Sequence, residues 1–460
     1  MARADSKSIF ETLPVPRAVR EMALPAIFSQ IIVLIYNMAD TFYLGRTNDP
    51  LMVAGASLIL PVFNICIAFA MLTGIGGSSM ISRLLGVGRE EEARKVSTFS
   101  IGFALAIAAA FSVVMGVFMR PILTALGASE NIFLYASQYT FCVVVLGGIP
   151  TVFSNAMSNI LRSAGLSRQA SAGVMAGGLI NIALDPLFMF VLLPRGQEVL
   201  GVGIATLLSN CIASAYFIII LLRERKRTVI TFDPRLGMPE RASLRSVFSV
   251  GVPAAISMLL FDLDYMVINR LMASYSDVAL AAIGIVLKGE RLPLNTGVGI
   301  CQGIVPIVAY NFASGNHKRM KETIRYSLRL GLIVGAVSIV LYELFAGQII
   351  HFFIAEPQTM ALGTAFLRAR ILATPLMFCS FFIVHLFQGF GEGGKSLLLV
   401  VIRWLILNIP MLFILNHFIG MYGIVWAQVT ADVINVIVSV IIFRRCARRA
   451  FAAEAEAGKV

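Results

Sequence analysis

Two carboxylates in the first half of this 460-residue sequence interrupt long apolar runs: Asp40 in "YNMADTFYLGR" and Asp185 in "INIALDPLFMF". An ionisable group inside a membrane-spanning run costs at least about 2.5 to 3.5 kcal/mol, so each needs a partner, a cavity or a function. Asn181 precedes Asp185 by four residues and so shares its helical face. Gln30, Asn37, Asp40 and Thr41 form a polar stripe on one helix, and Tyr139 and Thr206 add hydroxyls on two others. These groups suit two chemistries. A pair of carboxylates can hold one proton between them, because two buried like charges repel. Alternatively, Asp40, Asn181, Asp185 and Thr206 offer oxygen ligands to a hard cation such as sodium. The plainer alternative is that Asp40 snorkels to the headgroups and Asp185 caps backbone loosened by Pro186.

The second half is polar at another level. Asp262 and Asp264 stand in "LLFDLDYMVINR", and Lys288, Glu290 and Arg291 in "VLKGERLPLN". Two residues apart on a helix is about 200° around it, so the two aspartates cannot face one cavity. Three acids against two bases leave one negative charge in excess. Two readings stand: structural ion pairing between the two helices, or a vestibule that attracts a cationic substrate.

A third stretch, "QGFGEGGKS" from Gln388, fits both G-x-x-x-x-G-K-[ST] and G-x-G-x-x-G. Either pattern cradles phosphate only where a strand ends and a helix begins. Its surroundings decide.

Those surroundings are apolar helices. The chain is 58% hydrophobic and 13% charged, with a mean hydropathy of +0.85, where soluble proteins average about 25% charged residues. A bilayer core about 30 Å thick needs roughly 20 apolar residues per helix. Twelve such stretches are present: α1 (22–46), α2 (52–75), α3 (96–119), α4 (132–155), α5 (169–193), α6 (200–222), α7 (247–272), α8 (278–305), α9 (324–347), α10 (362–388), α11 (397–418) and α12 (420–443). The fold class is therefore an all-α membrane protein of twelve transmembrane helices.

Cations fall in alternate loops: Arg83, Arg89, Arg94 and Lys95; Arg162 and Arg168; "RERKR" from Arg223; Lys318, Arg319 and Lys321; Lys395; and Arg444, Arg445, Arg448 and Arg449. The positive-inside rule then puts both termini in the cytoplasm. The charge of +12 reports these loops rather than nucleic-acid binding. The N-terminal residues are polar and mixed in charge, unlike a secretory signal peptide, so α1 directs insertion into the bacterial cytoplasmic (inner) membrane.

The halves repeat. Pro25 matches Pro253 at an offset of 228, Gly88 matches Gly315 and Asn181 matches Asn408 at 227, and Gly165 matches Gly391 at 226. Six helices per copy is an even number, so the two six-helix lobes share one orientation, related by a pseudo-twofold along the membrane normal. Residues 1–222 form the N-lobe, 223–245 a basic linker, and 246–460 the C-lobe with a basic tail. With α1 running outward, Asp40 lies about 9 Å below its outer end at 1.5 Å per residue. Asp185, Tyr139 and Thr206 fall at a similar depth. The first-half counterpart of "QGFGEGGKS" is "LRSAGLSR", which matches neither phosphate pattern. The glycines thus mark a tight helix-to-helix turn, and no nucleotide is expected.

Nothing else in the sequence reads as catalysis. There is no H-E-x-x-H and no G-x-S-x-G, His351 and His385 stand alone, and the six cysteines have no metal-ligand spacing. The expectation is a non-enzyme without cofactor.

With this helix count and repeat, "GVPAAIS" opening the second half, "GIVPIVAYNFASGN" after α8 and "HLFQGFGEGGKS" after α10, the chain resembles the multidrug and toxic compound extrusion (MATE) transporters over essentially its whole length. "NIALDP" resembles the DinF-like branch and "GERLPLNTGVGICQG" a MepA-like subgroup. The resemblance implies two six-helix lobes exporting small organic cations by alternating access, as a monomer in membrane lipid, by antiport of protons or sodium. It carries the coupling network onto Asp40, Tyr139, Asn181, Asp185 and Thr206. NorM-like members use carboxylates on the seventh and tenth helices, but here α10 has none before Glu392. Two other transporters share the helix count. A lipid-linked glycan flippase needs a cationic cavity, for which Lys288 and Arg291 are the evident bases. A major-facilitator transporter carries G-x-x-x-D-x-x-G-R-[RK] after its second helix, where this chain reads "SRLLGVGREEEARK".

Overall fold

A computed structural model describes residues 8–47 and 49–457, and side chains only as far as Cys446. The expected charges of Arg448 and Arg449, the rest of the basic tail and the first seven residues lie outside the described side chains. Among the described residues every regular element is a helix.

Ten unbroken helices are long and apolar enough to cross a membrane, and two bent pairs complete the twelve. The unbroken ones are Val15–Gly45 (α1), Pro50–Gly86 (α2), Glu90–Val117 (α3), Ser167–Leu192 (α5), Glu198–Glu224 (α6), Arg241–Ala273 (α7), Asp277–Ala313 (α8), His317–Phe353 (α9), Gly393–Ile419 (α11) and Met421–Cys446 (α12). Most run past the apolar stretches expected from the sequence, because the flanking polar residues are themselves helix formers and stay wound beyond the apolar core.

The bent helices are α4, Glu130–Leu146 with Gly148–Ser163 at 50°, and its repeat counterpart α10, Pro357–Ile371 with Thr374–Phe390 at 48°. Each break is followed within the first turn by a proline, Pro150 or Pro375. Proline has no N–H to give to the preceding turn and its ring crowds that turn's carbonyl, which bends the helix.

The repeat is also visible in the backbone. Gly88 and its counterpart Gly315 have φ of 77° and 74°, and Gly165 and Gly391 have φ of 80° and 79°. At the first-half turns the residue after the glycine closes the helix with a long bond, Arg89 N–H to Leu84 O at 2.9 Å and Leu166 N–H to Leu161 O at 3.1 Å. This left-handed closure favours glycine.

The chain divides into two compact units. Unit 1 comprises Met1–Leu259, Gln302–Ile324 and Gln388–Gly393, and unit 2 comprises Leu260–Cys301, Arg325–Phe387 and Gly394–Val460. The core of unit 1 is laid down where α2, α3 and α4 face one another, around Cys66, Ala104, Ala108, Val143 and Ala156. That of unit 2 gathers Ile283, Val286, Phe366, Leu367, Leu412 and Val425.

The basic linker is ordered within unit 1. Ser97 Oγ donates to Thr231 O at 3.0 Å and accepts from Thr231 N–H at 3.1 Å, while Thr98 Oγ1 accepts from Asp233 N–H at 3.2 Å. Val229 and Ile230 are buried beside them. Arg89 pairs with Glu240 at the linker's end, and Glu92 accepts from Glu240 N–H at 2.8 Å.

Candidate functional site

In unit 1 the polar groups of α1, α4, α5 and α6 meet in one place. Gly178 allows this: a Cβ there would stand 2.8 Å from Ile32 and 3.0 Å from Tyr36, so α5 lies directly against α1. Asp40 and Asp185 thereby face each other at hydrogen-bonding range. Asn181 Nδ2 donates to Asp185 Oδ1 at 3.4 Å. Asp185, Asn181, Thr206 and Tyr139 are buried, and Asp40 is half-buried. Tyr139 lies in the field of both carboxylates and of Tyr36. Gly203, one turn before Thr206, brings α6 against Cys142 and Tyr139 of α4.

Backbone geometry at this level is unusual. α4 is π-wound over Phe141–Leu146, directly after Tyr139 and Thr140, and α5 over Leu187–Leu192, directly after Asp185 and Pro186. In unit 2, α11 is π-wound over Ile402–Asn408, ending on the counterpart of Asn181. π segments are rare and concentrate at functional sites.

Asp40 Oδ1, Asp185 Oδ2, Asn181 Oδ1 and Thr206 Oγ1 are buried oxygens to which no donor is assigned in the protein. An unsatisfied buried polar atom costs about 1–3 kcal/mol. Four from one polar level describe a receptor for something positive: protons on the carboxylates, or a hard cation on the oxygens.

The remainder of the expected stripe parts from this cluster. Asn37 is exposed, donates to Val33 O on its own helix at 2.7 Å and lies beside Tyr36. Thr41 is exposed and donates to Asn37 O, while Gln30 donates to Gln302 Oε1 at 3.0 Å. Tyr36 is a member that sequence reading missed. Its signal was there: Tyr36 precedes Asp40 by four residues and shares its face.

In unit 2 the expected pairing between α7 and α8 takes another form. Glu290 forms a two-point bond with Arg370 of α10, with Nε–Oε2 and Nη2–Oε1 both at 2.8 Å, and Arg370 also donates to Gln428 of α12. Asp264 accepts from Asn408 of α11 at 2.6 Å. Arg403 and Asp432 form a second two-point pair at 2.7 and 3.2 Å, with the guanidinium 4.2 Å from the Trp404 ring centroid and 4.5 Å from that of Phe381. Lys288 is exposed, and Arg291 lies over the Tyr265 ring at 5.3 Å. Asp262 is half-buried, whereas Asp264 and Glu290 are buried. The reason for the difference is chemical: the planar guanidinium of Arg370 matches a carboxylate at two points, which a lysine ammonium cannot do.

Arg370, Arg403 and Asp432 lie inside the expected spans and could have been flagged by the same cost argument that flagged Asp40. Arg162, counted above among loop cations, is instead buried and donates to Ser29 and Ser158. The "QGFGEGGKS" turn is likewise packed. Its Gln388 O accepts from Ser79, a Cβ on Gly391 would stand 2.2 Å from Arg83, and one on Gly393 would stand 1.6 Å from Ser249 O. Close approach of neighbouring chain accounts for these two glycines.

The MatE family model matches residues 25–187 and again 253–414, well over half of the chain, with the two matches opening on the repeat-equivalent Pro25 and Pro253. The multidrug export protein MepA of Staphylococcus haemolyticus is 28% identical over 92% of both chains, and that of Staphylococcus saprophyticus 29% identical over 94% of both. A crystal structure of MATE in complex with MaL6 aligns with a TM-score of 0.90 at 24% identity, over 95% of this chain and 97% of that one. An outward-facing multidrug resistance MATE family transporter of the MOP superfamily aligns at 0.87 and 24% identity, over 93% and 94%. The structural likeness establishes the twelve-helix, two-lobe fold, and the paired family matches make the chain a member of the MatE family, the multidrug and toxic compound extrusion transporters.

Proposed function

We propose that this protein exports small organic cations across the bacterial cytoplasmic membrane, with both termini in the cytoplasm, in exchange for protons or sodium entering at Asp40 and Asp185. The observation that carries the reading is the facing pair of carboxylates with the oxygens of Asn181 and Thr206 beside it, to which no donor is assigned. The multidrug export named for the MepA relatives supports the substrate class.

In this reading the emptied pair, with Tyr139 and Tyr36 around it, is the high-energy state. A proton shared by the two carboxylates, or a sodium ion held by Asp40, Asn181, Asp185 and Thr206, removes the repulsion and supplies the missing partner. The conformer that accepts the ion then gains population over the conformer that accepts the drug, and the two ligands displace one another. In unit 2, Asp264, Glu290 and Asp432 outnumber Arg370 and Arg403. The residual negative charge, together with Asp262, favours a cationic substrate, while Lys288 and Arg291 limit it.

A lipid-linked glycan flippase is the weaker reading. It needs bases free to meet a diphosphate, and Arg370 and Arg403 are already occupied by carboxylates. The deciding experiment is efflux from reconstituted vesicles under an imposed proton or sodium gradient, for wild type and Asp40→Asn. Gradient-driven efflux that Asp40→Asn abolishes supports the proposal, and full efflux by the variant refutes the coupling site.

A further inference from the structure

A crevice of about 1150 Å³ opens between α3 and α6 of unit 1, floored by α4 and closed at one end by the basic linker. Its interior is apolar: Ile101 and Leu105 on α3, Phe153 on α4, and Ile218 on α6. Its mouth is cationic. Arg94, Arg225, Lys226 and Arg235 line it against one acid, Asp233. Arg225, Lys226 and Arg235 are exposed.

The dimensions match one bilayer leaflet. From Arg94 to Leu105 is eleven residues of α3, and from Cys211 to Leu222 is eleven residues of α6 in the reverse direction. At 1.5 Å per residue each run is about 16 Å long, half of a hydrocarbon core about 30 Å thick. The crevice thus extends from the charged membrane surface to near the bilayer midplane. Ile218 and Leu222 remain 46% and 60% exposed, so the apolar part opens sideways rather than to water.

The linker would not stay at this mouth by charge alone. Ser97 and Thr98 hold Thr231 and Asp233 by the four hydrogen bonds of the docked segment, which fixes the neighbouring cations over the apolar floor. A site with phosphate-sized positive charge at the surface and an acyl-length apolar trough below it fits one class of molecule.

We propose that the crevice between α3 and α6 binds an anionic phospholipid, its phosphate among Arg94, Arg225, Lys226 and Arg235 and an acyl chain along Ile101, Leu105 and Ile218. A free phosphate would use the cations and leave the trough empty. A zwitterionic lipid would use the trough but gain less at the mouth. Juxtamembrane cations contribute about 1 kcal/mol each toward anionic lipid, or roughly fivefold in preference.

The test is native mass spectrometry of the full chain, released from nanodiscs of equal parts phosphatidylglycerol and phosphatidylcholine with identical acyl chains. Wild type is expected to retain phosphatidylglycerol in preference. Lys226→Gln, at an exposed position, is expected to lower that preference about fivefold, and Arg94→Gln/Arg225→Gln/Lys226→Gln to lower it further. Cys211→Trp, which fills the deep end, is expected to reduce retention of both lipids. Retention by wild type in the proportions supplied would overturn the proposal, as would an unchanged preference in Lys226→Gln. Displacement of the retained lipid by millimolar inorganic phosphate alone would also overturn it, in favour of a simple anion site.

Discussion

Asn408 donates its side-chain amide to Asp264 at 2.6 Å, and Asn181, which stands in its place in the first half, donates to Asp185 at 3.4 Å. The same position in each repeat thus orients a buried aspartate. The partners differ: Asp185 lies one turn along the same helix, and Asp264 lies on α7. In the first half a second carboxylate, Asp40, faces the pair, whereas the second half has Arg370 and Arg403 close by. One copy is left short of positive charge and the other is largely neutralised.

From this asymmetry, Asp40→Asn and Asp185→Asn are each expected to reduce gradient-driven efflux by roughly 5- to 150-fold, the range of ordinary coupling energies. Apparent melting temperature in detergent is expected to hold or rise, because each change removes a buried charge that lacks a cation. A large fall in melting temperature, with transport per folded molecule unchanged, would make the pair structural.

The opposite behaviour is expected at Arg370. Arg370→Met alone strands Glu290 in the interior and is expected to cost about 3–5 kcal/mol, whereas Arg370→Met with Glu290→Leu removes both charges and recovers most of it. Thermal unfolding of the two singles and the double in the same detergent checks the coupling. Additive losses would show that the two-point bond contributes nothing.

Within "QGFGEGGKS" two glycines make a sharp contrast. Gly391→Ala must adopt φ near 79° and place a methyl against Arg83, so a loss of about 1–2 kcal/mol from the backbone alone is expected. Gly394 has open space at its Cβ position, and Gly394→Ala is expected to fold and transport like wild type. A phosphate-cradling loop would show the reverse sensitivity at Gly394, visible as lost ATP binding.

Ser97→Ala removes the one hydroxyl that both donates to and accepts from buried Thr231. A cost of about 1–3 kcal/mol per unsatisfied group is expected, borne by the linker rather than the bundle. Limited trypsin digestion should accelerate at Arg225, Lys226 and Arg227 with little change in global unfolding. Unchanged cleavage would show that the linker is held by other contacts.

Much of this was legible in the sequence, for reasons that can be named. Helix number follows from apolar length, and the repeat follows from Pro25, Gly88, Gly165 and Asn181 finding partners at near-constant offset. Depth along straight helices placed Asp40, Asp185, Tyr139 and Thr206 at one level. What escaped was rotation and partner choice. Asn37 shares a helix with Asp40 but is exposed, and no spacing argument reports which side of a helix meets its neighbours. Glu290 was matched to bases near it in sequence, although its partner lies 80 residues away on α10. The bends of α4 and α10 needed attention to Pro150 and Pro375 inside long apolar runs.

The π-wound segments after Tyr139, after Asp185 and up to Asn408 each hold a surplus of backbone. One residue removed from Leu187–Leu192 would let α5 close to ordinary winding and would turn everything beyond it by about 100°. Single-residue deletions in this protein should therefore be best tolerated at the polar level, and homologues differing in length by one residue there would present a different side of the helix to the same carboxylates.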